Sequence, residues 1–329
     1  MTPALLTLIA LALFFDFLNG LHDSSNIVAT MISSRAFRPH TALGLTAAAN
    51  FAGPFLFGVA VAKTIGAEVV QAESISIEVI IAALVGAILW NLFTWFLGIP
   101  SSSSHALIGG IVGAVMIGAG FEAIKFRGLA RVLIALLASP IIGFIFGFLI
   151  TRIIFFFAQA ASPKINTFFK RSQIVTSLVL AFSHGTNDAQ KTMGVITLGL
   201  VIGGFTNEFK VPIWVIAASA GAMALGTASG GWRLIKTLGG KFYKIRPVHS
   251  FASQLTSGVV ILGASLIGGP VSTTQVVSSA IIGVGSSERV SKVRWGVAEE
   301  IITAWIITIP ATGIVSAGVY WILDHLPLL

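Results

Sequence analysis

Long apolar runs follow one another along the chain, and short stretches with charged residues, Pro or Gly separate them. A helix that crosses a membrane needs about 20 predominantly apolar residues, and most of these runs approach or exceed that length. The pattern therefore predicts an all-α polytopic membrane protein with about 10–12 transmembrane helices. The runs lie at about 4–34, 41–62, 77–97, 100–118, 129–158, 173–204, 212–228, 250–268, 270–286 and 295–325.

The composition agrees with a membrane location. Of the 329 residues, 55% are hydrophobic and 10% are charged, whereas soluble domains have about 25% charged residues. The absence of cysteine excludes disulfides, thiolate metal sites and thiol redox cofactors. The net charge of +8 is typical of basic loops that orient a membrane protein, so we do not expect a nucleic-acid partner.

The distribution of Lys and Arg predicts the orientation. If every run crosses once and the N-terminus is outside, most basic residues lie in inside loops, as the positive-inside rule requires. This places both termini outside a plasma (inner) membrane. If the runs at 100–118 and 270–286 did not cross, the bias would disappear, so we favour an odd number of crossings in each half. The inside bases are then Arg35, Arg38, Arg152, Lys164, Lys170, Arg171, Arg233, Lys236, Lys241, Lys244, Arg246, Arg289, Lys292 and Arg294.

The two halves of the chain resemble each other weakly. Residues 20–23 (GLHD) align with 185–188 (GTND), and residues 98–105 (GIPSSSSH) align with 268–275 (GGPVSTTQ). The two motifs keep their order at nearly one offset, which indicates an internal repeat. With five crossings in each half, the second copy is inverted. We predict a first transmembrane repeat at 1–158, a central cytoplasmic loop at 159–172 and a second repeat at 173–329.

Polar residues within the apolar runs suggest a binding site. Asn19, Asp23 and Asn26 have i, i+4, i+7 spacing, so they share one helical face. Two carboxylates, one from each half, would meet across the repeat axis and bind a small cation such as Na⁺, or a proton. In the alternative interpretation, the carboxylates pair with a lysine and only join helices. The repeat equivalents are His184, Asp188 and Lys191.

Two Ser/Thr-rich turns suggest an anion site. Pro100 and Pro270 each precede several hydroxyl side chains, a signature of a helix start. A helix start offers free N–H groups and the positive end of the helix dipole. We expect short broken or hairpin helices here, although small residues at ordinary packing contacts are the alternative. The hydroxyls are Ser101, Ser102, Ser103, Ser104, Ser272, Thr273 and Thr274.

Together, the two sites describe cation-coupled uptake of an anion. Phosphate at neutral pH retains a proton that it can donate to a carboxylate, whereas sulfate does not, so the residues favour phosphate. The alternatives are proton-driven phosphate transport, transport of another oxyanion such as sulfate, and an anion channel. Paired carboxylates would repel anions in a channel. An enzyme is disfavoured, because the polar sites occur as symmetric pairs.

Four segments resemble a known family. Residues 20–32 (GLHDSSNIVATMI) and 184–194 (HGTNDAQKTMG) resemble the two signature segments of the inorganic phosphate transporter (PiT) family in its bacterial form. Residues 99–110 (IPSSSSHALIGG) and 269–280 (GPVSTTQVVSSA) resemble its Ser/Thr-rich segments. The resemblance implies a sodium- or proton-coupled symporter of inorganic phosphate in the lipid bilayer, often a homodimer, with Na⁺ as the coupling ion and no other cofactor.

The resemblance also implies roles for individual residues. Gln275 departs from the family pattern, because relatives often have His there; this slightly favours Na⁺ over H⁺. For sodium, the implied residues are Asp23, Asn26, Asn187 and Asp188, together with Ser101 and Ser272. For phosphate, they are Ser101, Ser102, Ser103, Ser104, Ser272, Thr273, Thr274, Gln190 and Lys191.

Overall fold

The computed structural model describes residues 1–162, 164–231, 235 and 242–325. Within these ranges the chain forms eleven α-helices, which confirms the predicted all-α fold class. The helices are α1 (Pro3–Ser33), α2 (Pro39–Phe57), α3 (Ala60–Ala67), α4 (Ile77–Leu97), α5 (Ser103–Gly118), α6 (Phe126–Phe157), α7 (Ile165–Ile202), α8 (Ile213–Ser229), α9 (Pro247–Leu266), α10 (Thr273–Glu288) and α11 (Trp295–His325).

The helices follow the predicted apolar runs with one exception. The run at 41–62 contains both α2 and α3, which are bent by 80° at a break where Gly58 has a φ of +80°. By length and composition, α1, α4, α6 and α11 can each cross a membrane, and the bent α2–α3 pair would make a fifth span within the described ranges. The helix α7 has 38 residues, but polar side chains occupy its middle.

Local sequence explains where the two Ser/Thr-rich turns break the chain. Gly98 and Gly268 follow α4 and α9 with φ values of +71° and +74°, a conformation that glycine adopts without steric strain. Ser102 and Ser272 then cap α5 and α10, and each side chain accepts a hydrogen bond from the backbone N–H three residues later. Each new helix therefore starts three residues after its proline.

Each turn joins two antiparallel helices into a hairpin. The end of α5 at Gly118 packs on Val79 near the start of α4. Likewise, Glu288 at the end of α10 accepts a hydrogen bond of 2.6 Å from Arg246, which precedes α9. The helix α5 has 16 residues and is about 24 Å long, shorter than a hydrocarbon core of about 30 Å. If both helices of a hairpin enter and leave on one side, its half loses two crossings together and the number of crossings stays odd. The predicted charge asymmetry is then unaffected, because it disappears only if the second helix of each hairpin alone fails to cross.

Helices of the two halves pack against each other in reciprocal pairs. The helix α5 of the first half packs on α11 of the second, and α10 packs reciprocally on α6. These helices approach closely because small residues lie between them: a Cβ atom on Gly113 would lie 2.1 Å from the Gly313 carbonyl oxygen, and one on Gly147 would lie 2.7 Å from that of Ala280. The reciprocal packing agrees with an internal repeat.

Two details concern the predicted loops. The helix α7 begins at Ile165, so the second half of the predicted central loop at 159–172 is helical. Three of the basic residues predicted inside, Arg233, Lys236 and Lys241, lie outside the described residues. The orientation and the boundary between the repeats stay predictions.

Candidate functional site

Two buried aspartates from α1 and α7 meet beside one histidine. The His184 Nε2 atom lies 3.1 Å from Asp188 Oδ2 and 3.7 Å from Asp23 Oδ2. All three side chains are at most 1% exposed, and each offers an atom within 4.8 Å of the others. The expected meeting of one carboxylate from each half is therefore observed. His184 was not among the residues predicted to bind a ligand, although its i, i+4 spacing to Asp188 puts both on one helix face.

The start of α10 contacts both carboxylates. The Thr273 hydroxyl donates a hydrogen bond of 2.6 Å to Asp188 Oδ2. The Thr274 hydroxyl donates to Asp23 Oδ1 at 2.8 Å and accepts from the Asn26 amide at 3.0 Å. Asn26 also donates to Asp23 Oδ1 at 2.8 Å. The predicted Ser/Thr turn and the predicted cation ligands therefore form one cluster.

The start of α5 contacts a buried lysine. Lys191 is 1% exposed; its ammonium donates to the Ser104 hydroxyl at 2.6 Å and to the Val271 carbonyl at 2.9 Å, and it pairs with Asp188. The neighbouring Ser103 hydroxyl donates to Asn19 Oδ1 at 2.7 Å. One positive charge thus lies where the tips of both hairpins meet.

We call this cluster the polar centre. Its members project from the middles of α1 and α7 and from the first turns of α5 and α10. They are Asn19, Asp23, Asn26, His184, Asp188, Lys191, Ser103, Ser104, Thr273 and Thr274.

The polar centre is symmetric in position and asymmetric in charge. Asn26 bonds to Thr274, and its repeat equivalent Lys191 bonds to Ser104, the equivalent of Thr274. An amide on one side therefore corresponds to an ammonium on the other. The Asp23 side keeps a carboxylate without a lysine partner, whereas on the other side Lys191 balances the charge of Asp188.

Gln190, which the resemblance assigned to phosphate, contacts the backbone at the break between α2 and α3. Its Oε1 atom accepts hydrogen bonds from the N–H groups of Val61 at 2.7 Å and Ala62 at 3.1 Å. Its amide donates to the Gly58 carbonyl at 2.7 Å. The Gln190 side chain therefore pairs the first backbone N–H groups of α3 and is not part of the polar centre.

Asn187, assigned to sodium by the resemblance, holds the turn before α10. Its Oδ1 atom accepts from the Val271 N–H at 3.3 Å, and its amide donates to the Ser265 hydroxyl at 2.8 Å and the Gly269 carbonyl at 3.2 Å. These contacts position the tip of the hairpin. The structure does not bring this side chain among the carboxylates.

Three further predicted hydroxyls have local roles. Ser101 shares a hydrogen bond of 2.7 Å with Thr94, and Ser102 and Ser272 cap their helices. Ser101 and Ser272 therefore have partners other than the carboxylates in this arrangement, and their assignment to sodium stays a prediction. Within the described ranges, Ser103, Ser104, Thr273 and Thr274 are the predicted hydroxyls that face the polar centre.

The residues that follow the two Ser/Thr turns, His105 and Gln275, contact each other. His105 shares a hydrogen bond of 2.8 Å with Ser102 through Nδ1, and the Gln275 amide lies 3.4 Å from both of its ring nitrogens. Equivalent positions of the two halves thus touch each other. The departure from the family pattern at Gln275 makes a His–Gln contact.

Several polar atoms of the polar centre have no protein partner. In the part of the chain that the structure describes, Asp23 Oδ2, Asn26 Oδ1 and His184 Nδ1 are buried without a hydrogen bond, whereas His184 Nε2 lies 3.1 Å from Asp188 Oδ2. Asp16 lies seven residues before Asp23 on the same helix face, and both of its carboxylate oxygens are also buried without a hydrogen bond of good geometry among the described residues. Buried polar atoms normally have partners, so open acceptors next to carboxylates indicate a place for a bound cation.

Comparison with known proteins gives one consistent result. A model described as the phosphate transporter family matches residues 19–163 and again residues 157–316. The chain is 47% identical over 317 residues to a Bacillus subtilis protein named "Probable low-affinity inorganic phosphate transporter", with 95% of each chain covered. A Rhizobium meliloti protein of the same name is 45% identical over 324 residues, which covers 98% of this chain and 97% of the relative.

A solved structure shares the fold. The structure described as "The sodium-dependent phosphate transporter" superposes with a TM-score of 0.89 at 22% sequence identity. The match covers 99% of this chain and 100% of that chain. The arrangement of helices is therefore common to both proteins.

Proposed function

The chain belongs to the phosphate transporter family, and we propose that it is a secondary transporter that moves inorganic phosphate into the cell together with sodium ions. One observation supports this most strongly. Two hydroxyl-bearing helix starts converge on the buried ammonium of Lys191. The Asp23 carboxylate beside them has no Lys or Arg partner among the described residues, and its nearest ionisable neighbours are the rings of His22 and His184, each at 3.7 Å.

The helix starts supply the phosphate site in this proposal. The first N–H groups of α5 and α10 and the positive ends of both helix dipoles favour an anion. Ser103, Ser104 and Thr273 add hydroxyl donors that now bond to protein oxygens and can turn toward phosphate. Lys191 supplies an ammonium donor between the two starts, and Asp188 balances its charge. The retained proton of phosphate can be donated to a carboxylate.

The carboxylates explain why a cation must accompany the anion. Lys191 compensates Asp188, whereas Asp23 stays negative. Two like unit charges about 4 Å apart repel by about 4 kcal/mol at an effective dielectric constant of about 20. A sodium ion on Asp23 Oδ2 and Asn26 Oδ1, the open oxygens, removes this repulsion. Cation binding thus prepares the site for phosphate, and the two fluxes are coupled.

Transport requires that the hairpins move. Every residue of the polar centre is at most 4% exposed, so neither side has access in this arrangement. Displacement of the α4–α5 hairpin would expose the centre from one side, and displacement of the α9–α10 hairpin from the other. Such alternation between equivalent elements is the usual mode of repeat-built transporters.

Proton coupling is the second candidate. His184 lies between two carboxylates, with Nε2 3.1 Å from Asp188 Oδ2 and Nδ1 buried without a hydrogen bond among the described residues. An imidazole in this position can accept and release a proton. Oxygen atoms predominate among the open ligands, and Na⁺ prefers oxygen, so sodium remains the first proposal.

Radiolabelled phosphate uptake into proteoliposomes tests these proposals. One arm has an inward sodium gradient, another has a proton gradient without sodium, and valinomycin with potassium fixes the membrane potential in both. Excess sulfate is added as competitor. Accumulation above equilibrium with sodium alone, unaffected by sulfate, is the expected result. Accumulation with the proton gradient alone would replace sodium by H⁺, and uptake that only equilibrates would overturn the symporter.

A further inference from the structure

A second cavity, separate from the polar centre, opens where the end of α1 meets the starts of α9 and α11. It has a volume of about 650 Å³. Four basic residues line it: Arg35, Lys244, Arg246 and Arg294. We call it the basic cavity. It shares no lining residue with the polar centre, and the proposed transport does not use it.

Most of the positive charge in the basic cavity is uncompensated. No Asp or Glu is among its lining residues, all of which belong to the described ranges. Arg246 donates a hydrogen bond of 2.6 Å to Glu288, which does not line the cavity. In the part of the chain that the structure describes, the side chains of Arg35, Lys244 and Arg294 have neither an ion pair nor a hydrogen bond. All three side chains are exposed, so water screens much of their mutual repulsion, and an anion between them would reduce it further.

The backbone adds to the positive potential. The helices α9 and α11 begin at Pro247 and Trp295, directly after two of the four bases, so the positive ends of two helix dipoles point at the cavity. Arg35 has a φ of +57°, the only positive value of a non-glycine residue within the described ranges. Such conformations cluster at ligand sites, where the surrounding structure maintains them.

The chemistry of these groups suits a phosphate group. Two guanidinium groups present planar pairs of N–H donors that match phosphate oxygens in a bidentate manner. The Ser33 and Ser34 residues line the same cavity. A volume of about 650 Å³ accommodates more than one small ion, so a lipid headgroup fits as well as free phosphate.

The bases come from three loops that the charge distribution predicts on the inner side of the membrane. Anionic lipids of the inner leaflet attract basic groups near their headgroups by about 1 kcal/mol each. We propose that the basic cavity binds a phosphate group, either in the headgroup of an anionic lipid or as free inorganic phosphate. In the alternative, the bases are solvated residues that only orient the chain. The inference does not rest on the proposed transport.

Lipid retention by the full-length protein tests the lipid source. The protein is purified in detergent, incubated with equal amounts of phosphatidylglycerol and phosphatidylcholine, and examined by native mass spectrometry. The test variant is the Arg35→Gln/Arg294→Gln double variant. The control is Lys63→Gln/Arg127→Gln, which removes the same charge from exposed residues elsewhere. We expect about 30-fold weaker retention of phosphatidylglycerol in the test variant only, because two charges at about 1 kcal/mol each change the binding constant by about that factor.

Equilibrium binding of radiolabelled phosphate tests the other source. In nanodiscs of phosphatidylcholine, loss of one bound phosphate per chain in the test variant, but not in the control, would assign the cavity to free phosphate. If both variants match the wild type in both assays, the bases only orient the chain and the proposal is wrong. Circular dichroism checks the fold, and Lys244→Gln serves as the second test variant if the double variant does not fold.

Discussion

The Thr274→Val substitution tests whether the cation side and the anion side of the polar centre act independently. The Thr274 hydroxyl donates to Asp23 at 2.8 Å and accepts from Asn26 at 3.0 Å. Valine has nearly the same shape and no hydroxyl, so the helix start keeps its packing while the bridge is lost. We expect weaker sodium binding, because the two open oxygens proposed as sodium ligands belong to these side chains.

The size of the effect follows from the bond that is removed. A hydrogen bond to a charged group contributes about 1.5–3 kcal/mol, and about 1.4 kcal/mol corresponds to a factor of ten in an equilibrium constant. The sodium concentration for half-maximal uptake should therefore rise about 10- to 100-fold. The KM for phosphate at saturating sodium should change much less, because Lys191 and the start of α5 stay intact.

The equivalent position in the other half provides the opposite test. The Ser104 hydroxyl accepts from Lys191 at 2.6 Å and does not contact Asp23 in the described structure. Ser104→Ala should therefore raise the KM for phosphate about tenfold or more and leave the sodium dependence nearly unchanged. The pair compares two hydroxyls at the same place in the repeat with different charged partners.

Both variants are assayed by phosphate uptake into proteoliposomes, with sodium varied at saturating phosphate and phosphate varied at saturating sodium. Thr151→Val is the matched control, since its buried hydroxyl donates only to the Gly147 carbonyl within α6. If Thr274→Val and Ser104→Ala shift both affinities by the same factor, the two helix starts act as one unit. The division into a cation side and an anion side would then be wrong.

Other substitutions test the remaining assignments. Asp23→Asn and Asp188→Asn should each abolish uptake at limiting sodium while circular dichroism shows an unchanged fold; normal uptake by either one would refute its cation role. Gln190→Leu leaves two buried N–H groups of α3 unpaired and should lower the free energy of unfolding by about 2–5 kcal/mol, whereas Gln159→Leu at an exposed position should not, as thermal melting would show. Asp16→Asn should keep or raise the melting temperature, because neither carboxyl oxygen has a described partner at good hydrogen-bond geometry and burial of an uncharged amide costs less; a drop of many degrees would show that the neighbouring Thr192 or Asn19 side chain bonds to the carboxyl.

The hairpins illustrate what local sequence can predict. The run at 77–97 has the same bounds as α4, because a glycine in the left-handed conformation ends the helix and a serine cap starts the next one. Both signals act within a few residues, so they are visible without any knowledge of the fold. Whether such a helix crosses or returns depends on its contacts with other helices, and the apolar pattern left that question open.

Gln190 and Asn187 show what local sequence could not predict. Both lie within the motif that resembles the family, yet they flank the face that bears Asp188 and His184. Gln190 bonds to N–H groups more than 120 residues away, and no spacing rule reports such a partner. Helical periodicity, by contrast, indicated the face of α7 that bears Asp188. The same face carries His184, which was considered from the sequence only as the repeat equivalent of Asn19.

If the protein couples phosphate to a cation as we propose, the coupling depends on where the two halves differ. Two identical halves would place an aspartate and an amide at each helix start, which gives two equivalent cation sites and no positive charge for an anion. Replacement of the amide by Lys191 in one half converts that side into an anion site, and it neutralises Asp188 at the same time. The other half keeps Asp23 with an unpaired charge beside the anion, so the anion is repelled until a cation binds. In the proposed mechanism, one difference between the repeats would therefore produce both the anion site and the dependence of phosphate binding on the cation.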